Sequence, residues 1–350
     1  MRVVFVLPAP IRIPMGGAKI VARYAEELAR LGHEAIIVGP KRTDGPLRGT
    51  ALRVAKRLRD RLHGVAPTPY YQPAGVETIE PATVSASSIP SADVIVATGV
   101  QTAPWVASLP ASHGRKLYFV QGDETFVRPD ARDSWRMGLD IVTCAHWLAR
   151  EVREEGGRVL GVVPNAVDPR EFDRDRPITG RPASVLALYH RHPVKGPDLL
   201  VDALARIGRA APEARRVVFA ARPPRTRLGT GVELHVRPPP SKLRRLYNEA
   251  AVLLHPSRSE GWPLVPMEAA MCGAAVVAAP NHGVREYLKD PASMAQVGSF
   301  DGAALGQAAL ELLADDARRT RLAEAARRSV ERFSWSDSVG RLLAVLQAVR

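Results

Sequence analysis

Short apolar runs alternate with longer amphipathic ones along the first half of the chain. Val3 to Leu7, Ala35 to Val38, Val94 to Ala97, Leu117 to Val120 and Ile141 to Thr143 are nearly continuous hydrophobic runs, the pattern of strands buried on both faces. Between the first two, Gly17 to Leu31 places Ile20, Val21, Tyr24, Leu28 and Leu31 at helical spacing, which predicts a helix with one face on a sheet. The second half repeats the alternation. Val185 to Leu188, Val217 to Ala220, Val232 to Val236, Ala251 to Leu254 and Ala275 to Ala278 read as strands, Lys242 to Ala250 and Pro266 to Cys272 as helices, with Gly273 as a helix stop. Strands that alternate with helices predict α/β domains built on doubly wound parallel sheets. Pro164, Pro169, Pro177, Gly180 and Pro182 break both patterns, so the expected organisation is a first domain over 1–164, a linker over 165–182 and a second domain over 183–332. Residues 333–350 form a last amphipathic helix with Leu342, Leu343, Leu346 and Val349 on one face.

Length and composition agree with two domains, since 350 residues at 46% hydrophobic content suffice for two cores. The only cysteines, Cys144 and Cys272, have no metal-ligand or redox spacing, which favours a reducing compartment. Met1 to Pro10 is too short an apolar stretch for a signal peptide, and no run reaches bilayer length, so a cytoplasmic location is expected. A net charge of +13 raises nucleic acid as a partner. The cations are spread along the chain and only 5% of residues are aromatic, so nucleic acid is not the expected partner. The densest basic stretch, Leu47 to Gly64, sets Leu52, Ala55, Leu58 and Leu62 beneath Arg53, Lys56, Arg57, Arg59 and Arg61. A solvated face is the first reading of such a helix, and weak contact with an anionic acceptor or membrane is the second.

Candidate chemistry concentrates between His255 and Leu288, where Glu260 and Glu268 stand around a glycine-containing turn that leads into a helix. A helix start offers unpaired N–H groups and a positive dipole end, so Gly261, Trp262, Pro263 and Leu264 are candidates to bring backbone donors up to a phosphate or a sugar hydroxyl. Taken alone, a glutamate pair at such a place is more often a cap or a solvated charge. Gly16 and Gly17 precede the first helix, but there is no G-x-G-x-x-G after the first strand and no acid after Val38 to hold an adenine ribose, which counts against a dinucleotide site. Asp173-Arg174-Asp175 has the form of a D-x-D metal motif, yet it lies in a proline-flanked connection, and no metal is expected there.

Glu260 and Glu268 with seven residues between them, Gly261, Pro263, Gly273, the strand Ala275 to Ala278 and the turn Gly283 to Glu286 resemble the signature of the retaining glycosyltransferases of family 4. MGGAKIVARYAEELARLGHEAIIVG and AHWLAREVREEGGRVLGVVPNAVDPREF are similar to that family's first domain and crossover. The resemblance implies a GT-B fold: two Rossmann-like domains facing a cleft, with the last helix returning to the first. It implies that Glu260 contacts donor hexose hydroxyls, that Glu268 holds the ribose, and that Arg191 and Lys195 clasp the diphosphate. Fixed cations there stabilise charge that grows on the leaving group. The arginine and lysine stand one residue closer together than in many members. The family likeness also places the nucleobase near Val236, Arg237 and Leu243, and Gly16 and Gly17 at the cleft.

The sequence departs from the family at the histidine that many members carry after a central strand. Here Tyr118-Phe119-Val120 runs into Gln121-Gly122-Asp123-Glu124, which is similar to rhamnosyltransferase-like members. Gln121 and Asp123 are the acceptor-side candidates, and Asp123 or Glu124 either assists acceptor deprotonation or caps the next helix. The implied activity is retaining, metal-independent and cofactor-free transfer from a UDP-, GDP- or dTDP-linked sugar to a hydroxyl of a natural product, polysaccharide or lipid. A sugar-nucleotide epimerase of the same architecture and a non-catalytic polyanion-binding protein are the alternatives.

Overall fold

The computed structural model describes residues 1–11, 16–41 and 73–349; the basic segment Leu47 to Gly64 lies outside them. The chain divides into two compact units, Met1–Pro164 with Ser336–Arg350, and Asn165–Trp335.

Among the described residues, the first unit holds β1 (Arg2–Val6), β2 (Glu34–Val38), β3 (Glu77–Ile79), β4 (Val94–Ala97), β5 (Arg115–Val120), β6 (Asp140–Thr143) and β7 (Arg158–Val162). They pair in parallel in the order β3-β2-β1-β4-β5-β6-β7. β1, β4 and β5 are central, and Val3 to Val6, Val94 to Ala97 and Leu117 to Val120 are almost fully buried, as continuous apolar runs require. β3 is only three residues long and mostly exposed, so it carries no hydrophobic pattern of its own. The helices are α1 (Gly16–Arg30), α2 (Ala103–Ala107) and α3 (His146–Glu154). α1 buries Ile20, Val21, Tyr24 and Leu28, and its Tyr24 ring meets Phe119 of β5 edge to face at 5.6 Å. Such a side chain contributes about 1.5–3 kcal/mol when buried. Leu31, expected on that apolar face, is instead exposed, because α1 stops at Arg30.

The second unit holds β8 (Ser184–Tyr189), β9 (Arg215–Ala220), β10 (Val232–Val236), β11 (Val252–His255), β12 (Ala275–Ala278) and β13 (Ala295–Gln296), in the parallel order β10-β9-β8-β11-β12-β13. Its helices are α4 (Pro197–Ala210), α5 (Pro240–Glu249), α6 (Leu264–Met271), α7 (His282–Arg285), α8 (Gly302–Ala314) and α9 (Asp316–Val330). Leu200, Ala203, Leu204 and Ile207 of α4 join Val185, Val252, Val277, Leu305 and Leu312 in one core. The last helix, α10 (Trp335–Val349), is counted from Ser336 onward with the first unit and buries Leu342 and Leu346; its Val345 lies against Gly161 of β7.

Residues 165–182 are grouped with the second unit. Prolines there deny ladder hydrogen bonds, but side chains tie the stretch down. The buried Arg181 guanidinium donates to the Ala250 and Cys272 carbonyls at 2.8 and 2.7 Å. Asp173 pairs with Arg327 and Asp175 with Arg244, so both carboxylates of the D-x-D stretch serve structural ion pairs.

In each sheet the strand order reverses at one strand. β1 lies between β2 and β4, and β8 between β9 and β11. The loops leaving the carboxyl ends of strands at such a switch point form the crevice where open α/β sheets bind ligands.

Candidate functional site

In the second unit, two chain segments meet over the β8/β11 switch point. After β8 the chain makes a 3₁₀ turn, Pro193–Lys195, and passes through Gly196 at φ +64° into α4. A Cβ on Gly196 would sit 2.2 Å from the Pro256 carbonyl oxygen. Only glycine therefore satisfies both the left-handed backbone and the close approach. The Arg258 amide donates to the Val194 carbonyl at 2.7 Å, and its guanidinium bridges Asp198 and the Pro193 carbonyl. The turn after β8 and the loop after β11 are thus fastened side by side.

That fastening brings Lys195 and Glu260 together. The Lys195 Nζ donates to Glu260 Oε2 at 2.5 Å, with the two side chains 28% and 14% exposed. Burial alone would raise the Glu260 carboxyl. The Lys195 ammonium, His255 and hydrogen bonds from Lys195 and Ser257 outweigh it and hold the group below its ordinary range. Behind the pair, His255 at the end of β11 is buried, and its Nε2 has no hydrogen-bond partner among the described residues. Burial lowers its pKa to about 4, so the ring is neutral near pH 7 and adds no charge beside Lys195.

The loop carrying Glu260 is held from its far side as well. A Cβ on Gly283 would lie 2.3 Å from the Glu260 carbonyl oxygen, so α7 packs directly on the loop backbone. The buried Asn281 donates to the Ser257 carbonyl at 3.1 Å and caps α7 by accepting from the Val284 amide. Trp262 points inward. Its indole donates to Met267 Sδ at 2.9 Å and packs on Tyr287 and Phe333, so toward a ligand it offers backbone and not its ring. The Pro263 carbonyl is taken by the Tyr287 hydroxyl at 2.6 Å. α6 begins at Leu264, two residues earlier than the sequence pattern indicated, with Pro266 inside its first turn. Proline is tolerated there because the first N–H groups of a helix have no intrahelical acceptor.

Glu268, on α6, is 8% exposed and accepts from the Tyr247 hydroxyl at 2.8 Å. Arg191 turns toward the β9–β10 loop, where its guanidinium donates to the Pro223 carbonyl at 2.9 Å. Val236 ends β10, Arg237 follows with φ +50°, and Leu243 lies in α5. A non-glycine residue in the left-handed region is uncommon, and here its amide extends the ladder to the Ala220 carbonyl at 2.8 Å. Direct contact thus joins Lys195 with Glu260, while Arg191, Glu268 and the Val236–Arg237 corner are each held by other neighbours. Tyr247 and His255 were not singled out from the sequence. Tyr247 reaches Glu268 across 21 positions, and nothing local marks that contact.

In the first unit, the carboxamide of Gln121 lies over Gly17, 3.2 Å from where a Cβ would stand, and donates to the Thr98 carbonyl at 3.3 Å. No atom of a described residue lies within 4 Å of where a Gly16 Cβ would stand. Asp123 accepts from the Thr125 amide and pairs with Arg132 at 2.8 Å, so it is a cap and an ion-pair partner. Among the described residues, no cluster of three or more His, Cys, Asp or Glu side chains is placed to hold a metal ion, and no helix is long and apolar enough to cross a membrane.

Residues 169–329 match the family model described as Glycosyl transferases group 1. A D-inositol 3-phosphate glycosyltransferase of Xylanimonas cellulosilytica is 36% identical over 167 residues, 43% of this chain and 39% of that protein. D-inositol 3-phosphate glycosyltransferase 1 of Catenulispora acidiphila is 33% identical over 201 residues, 51% of this chain and 48% of that one. The chain thus spans less than half the length of these relatives. Among solved structures, Anabaena HepE in complex with UDP and glucose superposes with a TM-score of 0.73 at 16% identity, covering 99% of this chain and 100% of that one. Sucrose-phosphate synthase of Thermosynechococcus elongatus does so with a TM-score of 0.72 at 16% identity, covering 100% of both. The chain has the GT-B fold of two Rossmann-like units, and residues 169–329 of its second unit are similar to the glycosyl transferases group 1 family.

Proposed function

We propose that this chain is a retaining, metal-independent glycosyltransferase that moves a sugar from a nucleoside-diphosphate donor to an acceptor hydroxyl. The observation that carries the reading is the Lys195–Glu260 pair at the β8/β11 switch point, a cation and a carboxylate held over the strand ends by a glycine contact on each side. A diphosphate arriving there takes over the Lys195 ammonium and frees Glu260 to accept from donor hydroxyls. Glu268, fixed by Tyr247, is the candidate for the ribose. As the glycosidic bond breaks, charge grows on the leaving diphosphate, and Lys195, with Arg191 after release from Pro223, stabilises it more in the transition state than in the ground state. Front-face displacement, with the leaving phosphate drawing the proton from the acceptor hydroxyl, accounts for retention without a protein nucleophile.

The similar structure solved with UDP and glucose favours a uridine donor, and the relatives named for D-inositol 3-phosphate favour a polyol acceptor. No cofactor enters this scheme, and cytoplasmic action follows from a nucleotide-sugar substrate. Calorimetry with UDP, GDP and dTDP identifies the base. Glu260→Gln should then abolish most turnover while keeping nucleoside diphosphate affinity, and Glu268→Gln should weaken that affinity by about tenfold, the cost of one charge-assisted hydrogen bond. Undiminished affinity in the Glu268 variant, or no binding of any nucleoside diphosphate by the parent, refutes the assignment.

A further inference from the structure

The first unit has its own switch point, between β1 and β4, and a carboxylate from the turn after the next strand, β5, reaches the loop after β4. Glu124 lies in the 3₁₀ turn Glu124–Phe126 that follows β5 and is only partly exposed. Its Oε2 accepts from the Val100 amide at 2.6 Å and from the Tyr118 hydroxyl at 3.3 Å. These bonds stitch the loop after β4 to the end of β5, and Gln121 makes a second stitch to the Thr98 carbonyl. Oε1 takes no hydrogen bond from any described residue. It lies beside Gly99, 3.3 Å from where a Cβ would stand, and the Gln101 Oε1 is 3.5 Å from the same point. Two acceptor oxygens therefore converge over a glycine, with Gln121 earlier on the same segment after β5 and lying over Gly17 at the start of α1.

We propose that Glu124, through Oε1, is a carboxylate that binds the acceptor hydroxyl, with Gln101 as its neighbour in the contact. The proposal rests on the glycosyltransferase reading and adds the substrate class for this position: a polyol or sugar hydroxyl, which donates to the acceptor oxygens that converge beside Gly99. Asp123, one residue away, is already consumed by Arg132 and the Thr125 amide, which leaves Glu124 to face the ligand. The charges around it are Asp123, neutralised by Arg132, and Tyr118, kept protonated by burial. Burial raises the Glu124 carboxyl to about 7 and Asp123 pushes the same way, against the Val100 and Tyr118 hydrogen bonds. The ionised, stronger acceptor is thus gained as pH rises through neutrality.

Saturation-transfer NMR on the full chain, with myo-inositol as the probe at pH 6 and pH 8, tests the proposal. The expected result is a several-fold stronger transfer at pH 8 in the parent, a weak and pH-independent signal in Glu124→Gln, and partial loss in Gln101→Ala. UDP affinity, measured on the same samples, should be equal in all three, which separates this idea from the donor-site reading, and unchanged melting of the first unit by circular dichroism reports that the variants are folded. Equal transfer in the parent and Glu124→Gln, or no transfer to the parent at pH 8, overturns it. Loss of UDP binding in the parent alongside a Glu124-dependent signal sinks the donor-site reading and leaves the hydroxyl contact standing.

Discussion

Removing the Lys195 ammonium tests the second unit's site through stability as well as activity. In Lys195→Ala the Glu260 carboxylate, 14% exposed, loses its counter-ion at 2.5 Å. Breaking a fully buried pair costs about 3–5 kcal/mol. Lys195 is 28% exposed, so water shares the solvation and about 1–3 kcal/mol is expected, equivalent to roughly 2–10 °C in the melting temperature of this unit. The pH dependence fixes the sign. In the parent, Glu260 titrates below its ordinary value, so its contribution is present above the ordinary carboxylate range and is lost as pH falls through the lowered value. In the variant only His255, Ser257 and burial remain. Burial raises the carboxyl, and the penalty is then largest at pH 8 and relieved as the group protonates toward pH 4. The deficit between parent and variant should therefore narrow from pH 8 to pH 4. Glu260→Gln in the Lys195→Ala background should recover part of it by removing the stranded charge. With the nucleotide sugar that the parent uses, kcat/KM should fall by about one to two orders of magnitude, and Lys195→Arg should rescue it only in part. Melting and turnover unchanged from the parent at pH 8 would mean that Lys195 neither supports Glu260 nor grips a diphosphate.

The same frame yields two further expectations. Gly196→Ala meets both a left-handed backbone and the Pro256 carbonyl, so it should destabilise the unit by about 2–4 kcal/mol and weaken nucleoside diphosphate binding by displacing Lys195; a melting temperature within 1 °C of the parent, by differential scanning calorimetry at about that precision, would refute the fastening of the two loops. Tyr247→Phe leaves the 8%-exposed Glu268 without its hydroxyl donor, costing about 1–2 kcal/mol in denaturant melts and lowering nucleoside diphosphate affinity; unaltered affinity by calorimetry would separate Glu268 from the nucleotide.

Hydrophobic order along the chain carried most of the architecture. Val94 to Ala97 and Ala275 to Ala278 are strands with the bounds the apolar runs set, because a parallel strand buried on both faces needs every residue apolar; the edge strand Val232 to Val236 keeps its expected bounds although Glu233 and His235 interrupt it and it is only half-buried. Helix starts were less legible. α6 opens at Leu264 and not Pro266, since the backbone penalty of proline vanishes in a first turn and its presence marks no boundary there. β3 was invisible for the opposite reason: it is held by pairing to β2 and its side chains are largely exposed.

For the site, local sequence named the groups, and the fold chose their partners. Glu260, Glu268 and the glycines around them stand out by spacing and type, which reflects the chemistry of a loop that must approach an anion, and Lys195 stands out through the resemblance to family-4 glycosyltransferases. That Lys195 meets Glu260, that Trp262 turns into an aromatic core and that Arg191 is tied to Pro223 follow from which strands lie side by side. The neutral His255, the Tyr247 that steadies Glu268 and the Glu124 held near its midpoint at neutral pH belong to the same class. Each depends on burial and on a neighbour distant in the chain. Sequence by itself determined the residues able to do the chemistry; desolvation and contact, which exist only once the sheets have formed, decided their charge states and what each one touches.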